Sequence, residues 1–265
     1  MENETVNIPR KKKQGKSNLH LWVTIPIVLG SIALGVYAVQ WKSQLIVERF
    51  IVDGARHLQA REIVTMSEIK PQSHIDEIDW NDVEAKLLEH PLIKWAEVES
   101  QLPDAMRITI IEREPFAVVS GKSLLYIDSE AVLLPRLPAM QFDLPLISGI
   151  EGIDKISLGK QAPIPDIFLA IEVLKEAKTV GWYHSISEVK IGAGGEIMLF
   201  AMDSGVPIFI GRDDIAAKLA RLQTFWKNYV KDGTASQLKY LDLRFDGQVV
   251  VKWDRLNNQT TRIPL

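Results

Sequence analysis

The chain contains no cysteine. That absence excludes disulfides, thiol nucleophiles and cysteine-ligated metals, so stability has to come from packed cores. Histidine is scarce as well. His20, His57, His74, His90 and His184 form no two-histidine helical pair of the kind that holds zinc. No serine occupies a G-x-S-x-G elbow. Gly192-Ala193-Gly194-Gly195 lacks the lysine and hydroxyl residue of a phosphate loop and lies between two predicted strands, so it reads as a hairpin turn. Glu112 and Glu114 flank Arg113 at a strand end, where solvation or ion pairing is the commoner fate of neighbouring carboxylates than glycosidase-type catalysis. No convergent nucleophile, base or metal set emerges. The sequence therefore argues against an enzyme and against a cofactor or a small-molecule substrate.

What is present begins with a long apolar run. Leu19 to Trp41 is 23 residues without a charge. A helix of that length spans about 35 Å, enough to cross a bilayer core of roughly 30 Å. Trp22, Tyr37 and Trp41 stand near its ends, where amphipathic rings favour the headgroup level. Arg10, Lys11, Lys12, Lys13 and Lys16 precede it and predict a cytoplasmic N-terminus with everything after Trp41 exported. A cleaved signal peptide ending near Val36-Tyr37-Ala38 is the competing reading, but secretory apolar regions run roughly 7 to 15 residues. A buried core helix would be amphipathic, and this run is apolar all round.

The net charge of −3 is unevenly divided. In residues 1–18, Glu2 and Glu4 oppose five cations, which gives +3 there and −6 for the remainder. An acidic body argues against nucleic acid as a partner, since phosphates require a cationic face. Hydrophobic residues at 46% and charged residues at 25% are ordinary for a folded protein. The part after the run, about 220 residues, is enough for one large or two small domains.

Periodicity sets the organisation. Leu45 to Val52 reads as a strand closed by Asp53-Gly54, and Gln59 to Ile69 as a short helix. A second helix, capped by Asp79, carries Val83, Leu87 and Leu88 inward and ends at His90-Pro91. Trp95–Ser100 and Met106–Glu112 form a hairpin. This β-α-α-β-β order predicts a small α+β domain. After Pro115 come short strands at Phe116–Ser120, Leu124–Ile127 and Ala131–Leu134, then a proline-rich stretch. A helix capped by Asp166 runs to about Val180. Strands at Ile186–Ile191, Glu196–Ala201 and Pro207–Ile210 follow. A last helix starts at Asp213 or Asp214, faces inward with Ile215, Leu219, Leu222, Trp226 and Tyr229, and stops at Gly233. Strands around Tyr240–Phe245 and Val249–Trp253 close the chain. If that terminal pair lies at a sheet edge, its unpaired backbone groups are either guarded or used for strand addition.

Phe50–Gly54, Pro91–Val98, Ile108–Ala117, Leu125–Asp128, Leu144–Gly149 and Leu241–Gly247, taken in this order and spacing, resemble segments of the FtsQ/DivIB family of bacterial cell-division proteins. Leu102, Ala131 and Phe245 depart from residues frequent in the family: tryptophan, glycine and tyrosine. The resemblance implies an α+β architecture: a basic cytoplasmic tail (1–18), a transmembrane helix (19–41), a β-α-α-β-β POTRA domain (45–115), a larger mixed β-sheet domain with two helices (116–256) and a short tail (257–265). It implies a non-enzymatic scaffold of the divisome, held in the cell membrane by one span and concentrated at the septum. The implied partners are FtsB-like and FtsL-like single-span proteins and other divisome components. An FtsB-like strand would add to the last strand at Arg244, Phe245 and Trp253, with Val249, Val250 and Val251 supplying backbone pairing. The rivals are a POTRA protein of outer-membrane assembly or secretion, which needs a barrel that this chain lacks the strands for, and a membrane-tethered envelope enzyme.

Overall fold

The computed structural model describes residues 19–42, 45–136, 142–230, 234–254 and 260–264. The expected basic tail and the helix stop at Gly233 lie outside them. The chain divides into two compact units: residues 1–49 with 70–78 and 100–106, and the remainder.

In the first unit, helix α1 spans Leu19–Lys42, with Pro26 inside it. Its described side chains, Thr24 to Tyr37, are exposed on every face. Among the described residues no helix is long and apolar enough to cross a membrane. Leu45 and Val47 are buried, and the segment around them is tied to the 70–78 loop by Val47 N–H to Ser73 O at 3.0 Å and Ile75 N–H to Leu45 O at 3.0 Å. Arg49 pairs with Asp104 at 2.7 Å. The strand expected from Leu45 is therefore shorter than its sequence pattern. Leu45–Glu48 spends its backbone bonds on loops, and β1 is only Arg49–Asp53.

The small domain falls largely in the second unit. Strand β1, helices α2 (Ala60–Met66) and α3 (Trp80–Leu88), and strands β2 (Ile93–Gln101) and β3 (Ala105–Glu112) form a sheet of order β1-β3-β2 with two helices. Asp79 caps α3 as expected, accepting from the N–H groups of Asn81 and Asp82 at 3.1 and 3.3 Å. Ile63, Val83, Leu87, Val98, Ile108 and Ile110 are buried. Gly54 closes β1 with φ +86°, and a β-carbon there would fall 2.0 Å from the Ile110 carbonyl oxygen, so the Asp-Gly turn needs its glycine.

A ten-stranded sheet makes up the larger domain. Its strands are β4 (Pro115–Ser120), β5 (Leu124–Asp128), β6 (Leu133–Leu134), β7 (Leu146–Ser148), β8 (Ile186–Ile191), β9 (Ile197–Ala201), β10 (Pro207–Phe209), β11 (Leu238–Asp242), β12 (Gln248–Trp253) and β13 (Thr260–Pro264). They lie in the order β13-β12-β11-β10-β9-β8-β7-β4-β5-β6. Three of its neighbour pairs, β4–β7, β7–β8 and β10–β11, are parallel, and the last two are joined through helices α4 (Pro165–Thr179) and α5 (Ile215–Tyr229). Parallel neighbours require such crossovers. Both helices pack on each other and on the sheet, α4 over β8 and α5 over β12. Trp182 meets Trp226 edge-on at 5.4 Å between ring centres. One apolar core runs from Phe116 through Ile171, Leu174, Leu199, Leu222 and Phe225 to Val251.

Other expectations change as well. Asp166 is not the cap of α4: Pro165 takes the first helical position, which suits its fixed φ and missing N–H, and Ile164 is the cap. On α5, Phe225 is the large residue fully buried, Trp226 is half-buried and Tyr229 is exposed. The proline-rich stretch contains β7, and residues 260–264, expected as tail, form β13.

A buried carboxylate holds the entry to the small domain's first helix. Glu112 accepts from the N–H groups of Arg56 (2.9 Å), His57 (3.0 Å) and Leu58 (3.0 Å) and contacts His57 Nδ1 at 2.8 Å. Burial pushes its pKa up, but the bonds from Leu58, Arg56 and His57 outweigh it, and the net pKa falls below the ordinary 4.5. A depressed folded pKa means that this stabilisation is present above 4.5 and lost as pH falls through the folded value. Glu112→Gln is expected to cost about 2 kcal/mol at neutral pH, because an amide NH2 faces three N–H donors. It should also flatten the acid limb of a Tm–pH profile; an acid limb identical to that of the wild type would contradict this role.

Candidate functional site

Strand β11 ends at Asp242, which is buried. Leu243 N–H bonds to Phe209 O at 2.8 Å, and the chain turns back through Arg244, Phe245, Asp246 and Gly247 into β12. Asp242 fixes the turn. Its Oδ1 accepts from Arg244 N–H at 3.0 Å and Nε at 2.9 Å, and its Oδ2 from Nη2 at 2.7 Å. The fork geometry is the strong bidentate kind. The guanidinium lies over the Phe209 ring, 5.1 Å from its centre, with Glu196 at 3.6 Å. The hydrogen bond to Asp242 raises the Arg244 pKa further, so its charge is permanent. Phe245 is 48% exposed, which is high for a large apolar side chain.

The rest of the expected site is arranged differently. Val249, Val250 and Val251 are buried; the last two are paired on both sides and Val249 with β13. Val250 and Val251 face Asp242 and Leu241 on β11 and Arg262 and Thr261 on β13, while Val249 faces Ile263. They do not supply open backbone pairing. The edge is β13, not β12, because residues after 259 turn back and take the place left to a partner strand in the sequence reading. Trp253 is half-buried at the far end of β12, packed against the core. A strand of this length puts it about 17 Å from the Arg244–Phe245 turn. Arg244 and Phe245 come together, and Trp253 brackets the other end of the same strand.

The two ends of the sheet are treated differently. Beyond β6, residues 159–162 run alongside and complete its bonds: Leu133 N–H to Lys160 O at 3.1 Å, Gly159 N–H to Leu133 O at 2.8 Å and Ala162 N–H to Ala131 O at 2.8 Å. In the small domain, the Glu84 side chain occupies Val98 N–H on edge strand β2 at 3.0 Å. Among the described residues, no strand lies beyond β13. Among the described residues, the β13 end of the large sheet therefore stays able to accept a strand.

A second polar cluster, missed in the sequence, joins the end of β3 to the β5–β6 turn. Arg113 bonds to Asp128 at 2.7 Å and Glu130 at 3.1 Å, and Lys94 reaches Glu130 at 2.5 Å. Lys94 first, then Arg113, draws the Glu130 pKa down. Asp128 also accepts from Glu130 and Val132 N–H, so its carboxylate is a turn-holder. The neighbouring glutamates form no catalytic pair: Glu112 is engaged by backbone, and Glu114 pairs with Arg56 at 2.6 Å. Among the described residues no group of histidines and carboxylates could hold a metal ion.

Comparison with known proteins joins these observations. Residues 45–113 match the family model described as POTRA domain, FtsQ-type, and residues 114–252 match FtsQ/DivIB, C-terminal related. Cell division protein FtsQ of Geobacter sp. (strain M21) is 29% identical over 208 residues, covering 77% of this chain and 75% of that protein. FtsQ of Salinibacter ruber is 25% identical over 85% of this chain and 90% of its own length. FtsQ of Rhodothermus marinus is 26% identical, with 94% and 92% covered. With a POTRA domain followed by a large mixed sheet, the chain belongs to the FtsQ/DivIB family of cell-division proteins.

Proposed function

We propose that this protein is a divisome scaffold that works by binding rather than by catalysis, linking early and late division proteins at the septum. The observation that carries the reading is the contrast between the two ends of the large sheet: covered at β6, open at β13. The partner is an FtsB-like single-span protein, accompanied by an FtsL-like one. Its strand adds to β13, with Arg244 and Phe245 at one end and Trp253 at the other. Exposed aromatics and arginine are the usual anchors of such an interface. Arg244 is held by Asp242 before any partner arrives, so little ordering entropy remains to be lost on docking.

Residues 19–41 are proposed as the single span, with the N-terminus cytoplasmic and both domains outside. The reading rests on the uncharged run with its cationic flank and on the exposure of Ile25, Ile27, Leu29, Ile32, Leu34 and Val36, apolar side chains that water would not tolerate together. Tethering confines the docking edge to the layer in which other single-span proteins stand, which raises their effective concentration. Boundaries at 45–115 for POTRA and 116–256 for the β domain belong to the same proposal, with β13 now added to the second.

Depletion of the protein should produce filamentous cells with unconstricted septa, scored by microscopy; normal division in a strain without a paralogue would refute the scaffold role. Separately, Phe245→Ala is expected to change stability by less than about 0.5 kcal/mol, as an exposed substitution should, while weakening capture of the FtsB-like protein about tenfold or more. Undiminished affinity in a titration of the full chain would remove this end of the sheet from the interface.

A further inference from the structure

Lys218 lies in the first turn of α5 with only 4% of its surface exposed. Three features set its charge against the fold. Lysine is almost never buried unless paired. Among the described residues, the Lys218 side chain has no hydrogen-bond partner within 3.5 Å and no carboxylate within 4.0 Å. A cation in the first helical turn also opposes the helix macrodipole.

The surroundings say where that charge is directed. A β-carbon on Gly211 would lie 3.6 Å from Lys218 Nζ and 3.4 Å from Arg244 Cγ, so the two cationic side chains flank the space over that glycine. Gly211 has φ +70°, a conformation that keeps other residues out. The neighbouring cations are already engaged, Arg244 by Asp242 and Arg212 by the Gly195 carbonyl and Asp166. The side-chain atoms that are both fully enclosed and unpaired among the described residues are Ser204 Oγ and Arg221 Nε. Nζ of Lys218 is not among them and so retains access to the surface.

We propose that Lys218 is a carboxylate receptor: its ammonium takes an aspartate or glutamate side chain of the docking partner, entering over Gly211 beside the Arg244 turn. The proposal rests on the docking reading above and names the chemistry that the partner must bring. A carboxylate delivered on a docked polypeptide suits the site better than a free anion, because residues 19–265 carry −6 overall and repel small anions. In the free protein the ammonium has water alone to receive its hydrogen bonds and gains a protein partner on docking, which ties the lysine to binding rather than to folding.

The test titrates the full chain in detergent against the FtsB-like protein of the same organism, using wild type, Lys218→Met and Lys218→Arg. Methionine keeps the buried stem and removes the charge. Lys218→Met should melt at or above the wild-type temperature, bind about tenfold more weakly or worse, and show a shallower salt dependence. Lys218→Arg should retain most of the affinity. Neutralising one acidic residue of the partner should reproduce the loss, with no further loss in Lys218→Met. Equal affinity of Lys218→Met and wild type would overturn the proposal, as would a melting temperature lowered by several degrees, the mark of a lysine that the fold requires. Absence of binding by the wild type would instead overturn the docking reading itself, and the receptor with it.

Discussion

Backbone groups in a sheet are satisfied from strand to strand, so a ten-stranded ladder leaves unpaired N–H and C=O groups only at its two ends. Much of the molecule follows from how those ends are managed. At β6 the chain itself runs back through residues 159–162 and closes the ladder. On the POTRA sheet a glutamate side chain occupies an N–H of the β2 edge. At β13 neither device is present among the described residues. In the docking proposal, the open edge at β13 is the surface that takes another chain.

The interior supports that edge. The two crossover helices cover the sheet with one continuous core, and α5, over β12, carries the apolar residues that hold the C-terminal end of the ladder. β12 is buried and paired on both sides, so it transmits the rigidity of the core to β13 and fixes the turn that presents Arg244 and Phe245. Asp242 completes this by holding Arg244 through two oxygens. Preorganisation of this kind lowers the ordering cost of association more than any added contact area does.

The sequence carried the parts of the fold that repeat a period. The Asp79 cap, the hairpin of β2 and β3, the helices at Pro165–Thr179 and Ile215–Tyr229 and the α+β order were legible because apolar spacing and caps act locally. β7 was not: its three residues sit in a proline-rich stretch and pair only through distant neighbours, β4 and β8. β13 was not, because a five-residue segment ending in proline has no alternation strong enough to separate it from a tail. Arg244, Phe245 and Trp253 could be named from a resemblance, but their separation along β12 and the burial of Val249–Val251 required the register. Lys218 gave no sequence signal, since a lysine among helix formers is ordinarily a solvated one. Its burial appears only once Phe225 rather than Tyr229 turns inward and sets the rotation of α5.

The central claim is that the β13 end of the large sheet receives another polypeptide by backbone pairing. Hydrogen–deuterium exchange on the full chain, with and without the FtsB-like protein at saturating concentration, tests it most directly. The account predicts added protection of residues 260–264 and of the turn at Arg244–Gly247, with the β6 end and the POTRA strands unchanged. Protection confined to the POTRA domain, or none at 260–264 in a complex that forms, would contradict it.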